Sequence, residues 1–193
     1  HDLPLLVDQG SGCLLDMTQA GIKDEPTVAA ILDQGADVVT FSGDKILGGP
    51  QAGLLLGRQD LIDRMRRSPL YRVLRLDKMT IAALEATLDA HVKGTAATEL
   101  PVLRMIFASK EEIAARAGRV AAALLDRLAD RCEVATVDGV SRAGGGSAPT
   151  EDLPTVLIRI RTASGAKRSV TEWEQALRAG RPPVVARIHE ESL

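Results

Sequence analysis

The stretch ADVVTFSGDKILGG, residues 36–49, decides the fold of this chain. It begins with a short, apolar and partly β-branched run at 37–41, which predicts a strand, and it continues directly into glycine and polar residues. A second apolar run lies upstream at 3–7, and the segment 27–34 between the two runs has a helical pattern that ends at Gly35. Strand, helix and strand in this order predict a βαβ unit with two parallel strands and a right-handed connection.

The rest of the chain predicts further strands and helices in two regions. Upstream of residue 95 we expect a strand at 53–57 and helices at 61–67 and 77–92. Downstream we expect a helix at 109–131, strands at 133–137, 155–160 and 184–188, a helix at 170–179, and a glycine-rich loop at 142–154. The sequence therefore predicts an α/β fold with a mostly parallel sheet at 1–95, followed by a small α+β domain at 96–193.

The composition is that of a globular protein. Of 193 residues, 45% are hydrophobic and 26% are charged, and the mean hydropathy is +0.02. No apolar run approaches the roughly 20 residues that cross a bilayer, so we expect a cytoplasmic protein without a membrane segment. The net charge of −2 argues against a general coat for nucleic acid, because affinity for the phosphate backbone comes from many basic contacts. Cys13 and Cys132 form no CxxC pattern, which predicts two buried thiols, no disulfide framework and no metal site.

Lys45 carries the strongest chemical signal in the chain. It closely follows a predicted strand and is flanked by Gly43, Gly48 and Gly49, which let a backbone approach a ligand. An amine in such a place is a candidate Schiff-base lysine, a role that requires its pKa to fall from about 10.4 through burial or nearby charge. A lysine that caps a helix or lies in a turn explains this segment equally well when it is taken alone.

Asp8 favours the first interpretation. It directly follows the apolar run at 3–7 and lies one strand–helix–strand step before Lys45, so the carboxyl ends of the two strands bring both residues to one edge of the sheet. A carboxylate there is placed to pair with the pyridinium nitrogen of pyridoxal phosphate, which makes the ring an electron sink. Ser42 is a candidate donor to the cofactor phosphate, although serine beside glycine is equally typical of a turn.

Several longer motifs resemble one known family. SGDKILGGPQAGLLLGR at 42–58, LPLLVDQGSG at 3–12 and YRVLRLDKMTIAALEATL at 71–88 together resemble the bacterial L-seryl-tRNA(Sec) selenium transferases, or selenocysteine synthases. GGGS at 144–147 and LRAGRPPVVARI at 177–188 extend the resemblance over nearly the whole chain. Members of that family are much longer than this chain, so the resemblance implies a C-terminal fragment.

The resemblance implies a pyridoxal-phosphate enzyme of fold type I, with a large cofactor-binding domain and a small C-terminal domain. It implies that Lys45 is the cofactor lysine, that Asp8 pairs with the ring nitrogen and that Asp44 assists at the reacting centre. It also implies that Arg72 and Arg75 hold the anionic selenium donor, which agrees with the paired donors of a guanidinium group. The nearby basic residues are expected to form a solvated helix face: Arg58, Arg64, Arg66 and Arg67.

The implied reaction converts seryl-tRNA(Sec) to selenocysteinyl-tRNA(Sec), by β-elimination of water and addition of selenium from selenophosphate. The implied assembly is a homo-oligomer built from dimers, in which active sites draw on neighbouring subunits. Two alternatives stay open: a related pyridoxal-phosphate lyase that acts on a small amino acid or amino-sugar acid, and a fragment that is catalytically inert. Lys45 and Asp8 fit both kinds of enzyme, whereas Asp44 and the pair Arg72 and Arg75 favour the transferase.

Other polar residues carry weaker signals. An exposed loop is predicted for the cluster Asp16, Lys23, Asp24 and Glu25. His91 and His189 are predicted to be surface histidines, and Trp173 is predicted to lie in the core of the small domain. The glycines at 144–146 lack the Lys-Ser/Thr of a P-loop, and we expect them to form a loop that approaches the active site.

Overall fold

The computed structural model describes residues 3–128, 131–163, 169–189 and 192–193. They form a mixed α/β structure that divides into two compact units. The first unit comprises His1–Ala108 and Arg142–Leu153, and the second comprises Ser109–Ser141 and Pro154–Leu193. The domain boundary near residue 95 stays a prediction. No helix in the described ranges is both long enough and apolar enough to cross a membrane.

The first unit is built on a three-stranded sheet in the order β1-β2-β3, with β1 at Leu6–Gly10, β2 at Val38–Ser42 and β3 at Gly53–Gly57. β1 and β2 are parallel, as the βαβ pattern predicts, and Asp8 lies opposite Thr40 in the ladder. β3 is antiparallel to β2, which differs from the mostly parallel sheet that we expected. The reason is the short connection, because parallel strands need a crossover of a dozen or more residues and fewer separate β2 from β3.

Helices connect and cover the strands of this unit. α1 spans Val28–Asp33 between β1 and β2, and the Thr27 side chain caps its first turn by accepting from the Ala30 N–H at 3.1 Å. The later helices are α2 Gln59–Arg66, α3 Pro69–Val73, α4 Lys78–Val92, α5 Ala96–Glu99 and α6 Pro101–Ile106, and a 3₁₀ turn spans Met17–Ala20. Asp77 caps α4 by accepting from two backbone N–H groups of its first turn, so this helix begins where the sequence predicts.

Two buried clusters hold the segment that carries Lys45. Ile46 is 3% exposed and packs in a cluster that includes Cys13. Leu47 is 0% exposed and packs in a second cluster that includes Phe41 of β2. Burial of each side chain stabilises the fold by about 1.5–3 kcal/mol. The backbone just after Lys45 is therefore anchored in two directions.

The second unit consists of a long helix, a two-stranded sheet and a short helix: α7 Lys110–Leu128, β4 Cys132–Ser141, β5 Leu153–Thr162 and α8 Val170–Arg178. Each helix begins with a capping box, formed by Ser109 with Glu112 and by Ser169 with Glu172. The helix predicted at 109–131 therefore begins as expected, and part of its predicted C-terminal end lies outside the described residues.

The strand predicted at 184–188 is wrong. These residues form no strand, and the Val184 N–H donates to the Leu177 carbonyl oxygen of α8 at 2.9 Å. The β-branched run is exposed, with Val185 71% exposed, so no packed apolar face holds it in a sheet. Trp173, which we expected in the core, is half-buried on α8.

Candidate active site around Lys45

One face of the β1–β2 pair carries a row of polar side chains. Side chains alternate along a strand, so Thr40 and Ser42 of β2 lie on the same face, while Phe41 between them is buried on the other. The Thr40 hydroxyl donates to the Asp8 carboxylate at 2.9 Å, which places Asp8 of β1 on the Thr40 face. The three polar side chains therefore follow the sheet surface toward the carboxyl end of β2.

Lys45 continues this row beyond the end of β2. Its ammonium group donates to the Ser42 hydroxyl oxygen at 2.8 Å, and its side chain is half-buried. Strand geometry separates Thr40 from Ser42 by about 7 Å along β2. The structure therefore brings Asp8 and Lys45 to one face of the sheet, at opposite ends of a short row of hydroxyl groups.

The glycines around Lys45 have a structural purpose that the sequence does not reveal. A Cβ on Gly43 would lie 2.5 Å from the Pro50 carbonyl oxygen, and Gly48 has a φ of +84°. The Gly49 N–H donates to the Gly43 carbonyl oxygen at 2.8 Å, which closes the turn on itself. These glycines therefore allow the compact loop between β2 and β3.

The prediction of a surface position for His91 is wrong. This side chain of α4 is half-buried, and its Nε2 lies 2.9 Å from the Leu47 carbonyl oxygen. A carbonyl oxygen only accepts, so Nε2 carries the proton and donates. Thr87, one turn earlier on the same face of α4, is buried beside Gly49. Thr87 and His91 are four residues apart and therefore lie on one face of α4. This spacing is the signal in the sequence for a polar helix face that packs on the loop carrying Lys45.

The prediction of an exposed loop is wrong for Glu25, although Asp16, Lys23 and Asp24 are exposed. The Glu25 side chain is half-buried, and its carboxylate accepts from the Ser11 hydroxyl and from the Ala148 N–H. Ala148 is 123 residues further along the chain. No local pattern predicts a contact of that separation.

The glycine-rich loop lies against Lys45. A Cβ built on Gly145 would lie 3.8 Å from Cγ of Lys45 and 3.9 Å from its Cδ and Cε. The loop at 142–152 forms turns rather than a helix or strand, as its composition predicts. Its approach to the candidate lysine agrees with the expectation from the sequence.

Three of the candidate residues are not joined to this group. Asp44 is exposed, Arg72 lies on the exposed surface of α3, and Arg75 is exposed in the following turn. Within the described ranges, no hydrogen bond or ion pair links any of them to Asp8, Ser42 or Lys45. Their roles therefore stay predictions.

The cysteines are buried, as the sequence predicts: Cys13 is 0% exposed and Cys132 is 2% exposed. Burial raises the pKa of the Cys13 thiol to about 11, and the nearby Glu25 carboxylate acts in the same direction. The thiol therefore stays protonated at neutral pH and is a poor nucleophile. No cluster of three or more His, Cys, Asp or Glu side chains suited to a metal ion is found among the residues that the structure describes.

The fold and the site define a class: mixed α/β proteins that carry a lysine amine, a carboxylate and hydroxyl groups along one face of a parallel strand pair. Asp8 lies in the middle of β1, opposite Thr40, rather than just beyond the end of the strand as the sequence predicts. A family model described as L-seryl-tRNA selenium transferase (SelA) matches residues 1–193, and the chain belongs to this family.

Individual relatives agree with the family match. A protein of Nitratidesulfovibrio vulgaris (strain Hildenborough) named L-seryl-tRNA(Sec) selenium transferase is 50% identical over 193 residues, which are 100% of this chain and 40% of that protein. A protein of the same name from Geobacter sulfurreducens is 46% identical over 188 residues, which are 97% of this chain and 40% of that protein. The chain thus spans about 40% of the length of the curated relatives that it matches.

A solved structure shares the fold. That of D-glucosaminate-6-phosphate ammonia-lyase superposes with a TM-score of 0.53, covering 98% of this chain and 42% of that one. The sequence identity is 19%, so the likeness concerns the fold alone.

Proposed function

We propose that this chain is the part of an L-seryl-tRNA(Sec) selenium transferase that carries the cofactor lysine, and that Lys45 is this lysine. The cofactor is pyridoxal 5'-phosphate, held in a large domain of fold type I that is followed by a small α+β domain. The single observation that carries the proposal is the row that joins Asp8 to Lys45 through Thr40 and Ser42 on one face of the sheet.

The residues present fit this cofactor. Lys45 offers the amine that its aldehyde needs, and the Asp8 carboxylate, further back along the same face, is placed to pair with a protonated ring nitrogen. Ser42 lies within hydrogen-bond distance of the amine and is the donor proposed for the phosphate. Pyridoxal phosphate, when bound, supplies an electron sink that stabilises a carbanion at the α-carbon of the substrate.

The side chains of this chain supply the proton transfers and the anion binding. The Lys45 amine removes the α-proton of the seryl group. Asp44, the residue directly before Lys45, assists departure of the β-hydroxyl group as water. Arg72 and Arg75 bind the oxygens of selenophosphate through paired guanidinium donors while selenium adds to the β-carbon. The Lys45 ammonium returns a proton to the α-carbon, and water cleaves the Se–P bond, which releases phosphate and leaves selenocysteinyl-tRNA(Sec).

The surface around the two arginines has the composition of a contact surface. α3 presents large apolar side chains to solvent beside Arg72, with Leu70 68% exposed and Val73 78% exposed. A surface of this kind is typical of one that another polypeptide covers. We therefore propose a homo-oligomer built from dimers, located in the cytoplasm, in which Arg72 and Arg75 serve the same or a neighbouring chain.

The test of the cofactor site is reductive trapping. The full-length gene product is incubated with pyridoxal phosphate, reduced with borohydride and digested, and the modified lysine is located by mass spectrometry. We expect the pyridoxyl group on Lys45 and background labelling on Lys93, which is exposed and paired with Asp89. A modification found on another lysine would overturn the proposal, and no modification at all would mean an inert chain.

The test of the substrate is binding of seryl-tRNA(Sec) to the same protein on filters, followed by conversion with selenophosphate. We expect retention of the aminoacylated tRNA and formation of selenocysteinyl-tRNA(Sec). A protein that traps pyridoxal phosphate on Lys45 but retains no tRNA would instead be a lyase for a small amino acid or amino-sugar acid.

A further inference from the structure

The loop Gly144–Ala148 is held in a conformation that is unfavourable on its own. Ala148 has a φ of +43°, a left-handed backbone that residues with a side chain rarely adopt. Ser147 is 3% exposed, and its hydroxyl oxygen has no hydrogen-bond partner among the residues that the structure describes. Both features destabilise the loop. Contacts elsewhere must therefore hold it in place.

Glu25 provides the main polar contact of this kind. One oxygen of its carboxylate accepts from the Ala148 N–H at 3.0 Å, and the other accepts from the Ser11 hydroxyl. The Gln9 side-chain amide approaches that second oxygen at 3.5 Å. Ser11 directly follows β1, so the carboxylate ties the loop to the end of the strand that carries Asp8.

Burial of Ala148 adds an apolar contact. Its side chain is 2% exposed in the cluster that includes Ile46, the residue after Lys45. The loop is thus fixed at its C-terminal end by one charged hydrogen bond and one packed methyl group. Gly145, three residues earlier, lies along the Lys45 side chain and has a φ of +71°.

We propose that Glu25 is a positioning residue that clamps the loop Gly144–Ala148 against the Lys45 side chain. Gly145 is the part of the loop that covers one side of the lysine stem. The inference rests on the proposed function only in taking Lys45 as the reacting amine.

The experiment measures access to that amine directly. The full-length gene product, stripped of pyridoxal phosphate, is treated with a small acylating reagent, and the acylation rate at each lysine is followed by mass spectrometry. Lys93 and Lys78, both exposed, are the internal references. This readout needs no catalysis, so it is independent of the trapping and tRNA experiments.

The first variant is Glu25→Gln. The amide oxygen can still accept from the Ala148 N–H and the amide nitrogen can donate to the Ser11 hydroxyl oxygen, so this isosteric variant removes the charge that strengthens both hydrogen bonds. Because charge-assisted hydrogen bonds are roughly twice as strong as neutral ones, loss of the charge changes the local equilibrium by about fivefold. We expect acylation of Lys45 to accelerate by about that factor, with the references unchanged.

Glu151→Gln is the matched control, because Glu151 is a half-buried carboxylate of the same segment that accepts from the Lys23 N–H at 3.2 Å instead. It should leave the Lys45 rate at the wild-type value. Equal Lys45 rates in Glu25→Gln and wild type would overturn the clamp, as would an equal acceleration in Glu151→Gln.

The second pair of variants is Gly145→Ala and Gly146→Ala. Both positions have positive φ, +71° and +79°, so both methyl groups introduce backbone strain, but only the one at residue 145 meets Lys45. We expect slower acylation of Lys45 in Gly145→Ala than in Gly146→Ala. Equal rates would show that the loop does not lie against Lys45 in solution, and they would overturn the clamp.

These outcomes remain separate from those of the proposed function. Far-UV circular dichroism of each variant identifies loss of fold, and Ser11→Ala then replaces Glu25→Gln, with a smaller acceleration expected because Ala148 keeps its partner. If pyridoxal phosphate is not trapped on Lys45 but Glu25→Gln still accelerates Lys45 acylation, the role of Glu25 is supported and the cofactor assignment is wrong. If trapping on Lys45 succeeds but Lys45 is acylated at the same rate in Glu25→Gln and wild type, only the role of Glu25 is wrong.

Discussion

The surroundings of Lys45 and the helix α3 both carry residues that the sequence predicts to be functional, yet the two regions differ in how the chain holds them. Lys45, Ser42 and Asp8 are held by hydrogen bonds within one unit, and the backbone beside Lys45 is anchored by two buried side chains. α3 and the turn after it present Arg72 and Arg75 together with exposed apolar residues. Hydrogen bonds and buried side chains of the same chain hold the first region. The second region is typical of a surface that a ligand or another polypeptide segment contacts.

The difference predicts two kinds of mutational effect. Changes around Lys45 should impair the chemical step in any assembly state. Changes on α3 should impair use of the anionic donor and leave the cofactor bound. The first three predictions below test this separation and the fourth concerns stability; they run from the largest expected effect to the smallest.

Lys45→Ala should abolish the activity of the full-length gene product, with a loss of about three orders of magnitude or more, because no other amine replaces a nucleophilic lysine. Absorbance of bound pyridoxal phosphate and the rate of selenocysteinyl-tRNA(Sec) formation are the measurements. Lys93→Ala, which removes an exposed ion pair, is the control and should retain both. Product formation by Lys45→Ala at the wild-type rate would show that Lys45 is not the cofactor lysine.

Asp8→Asn should reduce the rate by about tenfold to a hundredfold, because the amide still accepts from Thr40 but no longer offers a charge to a protonated ring nitrogen. The spectrum of the bound cofactor should change, since its ring nitrogen loses its counter-ion. Asp24→Asn, an exposed carboxylate, is the control. An unchanged rate and an unchanged cofactor spectrum would show that Asp8 does not contribute to the site around Lys45.

Arg72→Ala and Arg75→Ala should each raise the KM for selenophosphate by about tenfold, through loss of charge-assisted hydrogen bonds, while the cofactor spectrum stays that of the wild type. Arg67→Ala, an exposed arginine just before α3, should leave the KM unchanged. A changed cofactor spectrum in Arg72→Ala, with the donor KM intact, would contradict the separation between the two regions.

Asp37 gives the smallest effect, on stability rather than activity. Its carboxylate accepts from the Leu5 N–H at 2.8 Å and pairs with Arg58 at 2.9 Å, and both interactions lower its pKa below the usual 3.8. A lowered pKa in the folded state stabilises the protein above pH 3.8, and this contribution is lost as the pH falls through the folded-state pKa.

Thermal unfolding at pH 7 and at pH 3 measures this effect. Asp37→Asn should lower Tm by a few degrees at pH 7 and by less at pH 3, because pH 3 lies below the 3.8 of the unfolded carboxylate and part of the stabilising contribution has already been lost. A difference from wild type that grew as the pH fell would show that the pKa is not lowered.

The sequence predicts those parts of the fold that depend on near neighbours. The bounds of β3 agree with prediction because glycines flank the strand on both sides, and α4 begins within one residue of its predicted start at 77. The predictions of β1 and β2 are offset by only a few residues, because alternation defines a strand better than its ends.

The errors concern contacts between distant residues. Glu25 resembled an exposed acid in a charged cluster, and its partner Ala148 lies 123 residues away. His91 resembled a surface histidine at a helix end, and its partner Leu47 lies 44 residues away. The run at 184–188 has strand composition, but no neighbouring strand pairs with it within the described ranges. A single sequence shows which residues are apolar or charged, and it does not show which distant backbone group they meet.

The edge position of β1 has a consequence for amide exchange. Within the described residues β2 is its only ladder neighbour, so successive β1 amides point alternately toward β2 and away from it. Deuterium should therefore enter this strand in an alternating pattern, slowly where the amide is bonded to β2 and quickly at the positions between. Uniform slow exchange along β1 in the full-length gene product would report that another strand has joined the sheet at that side.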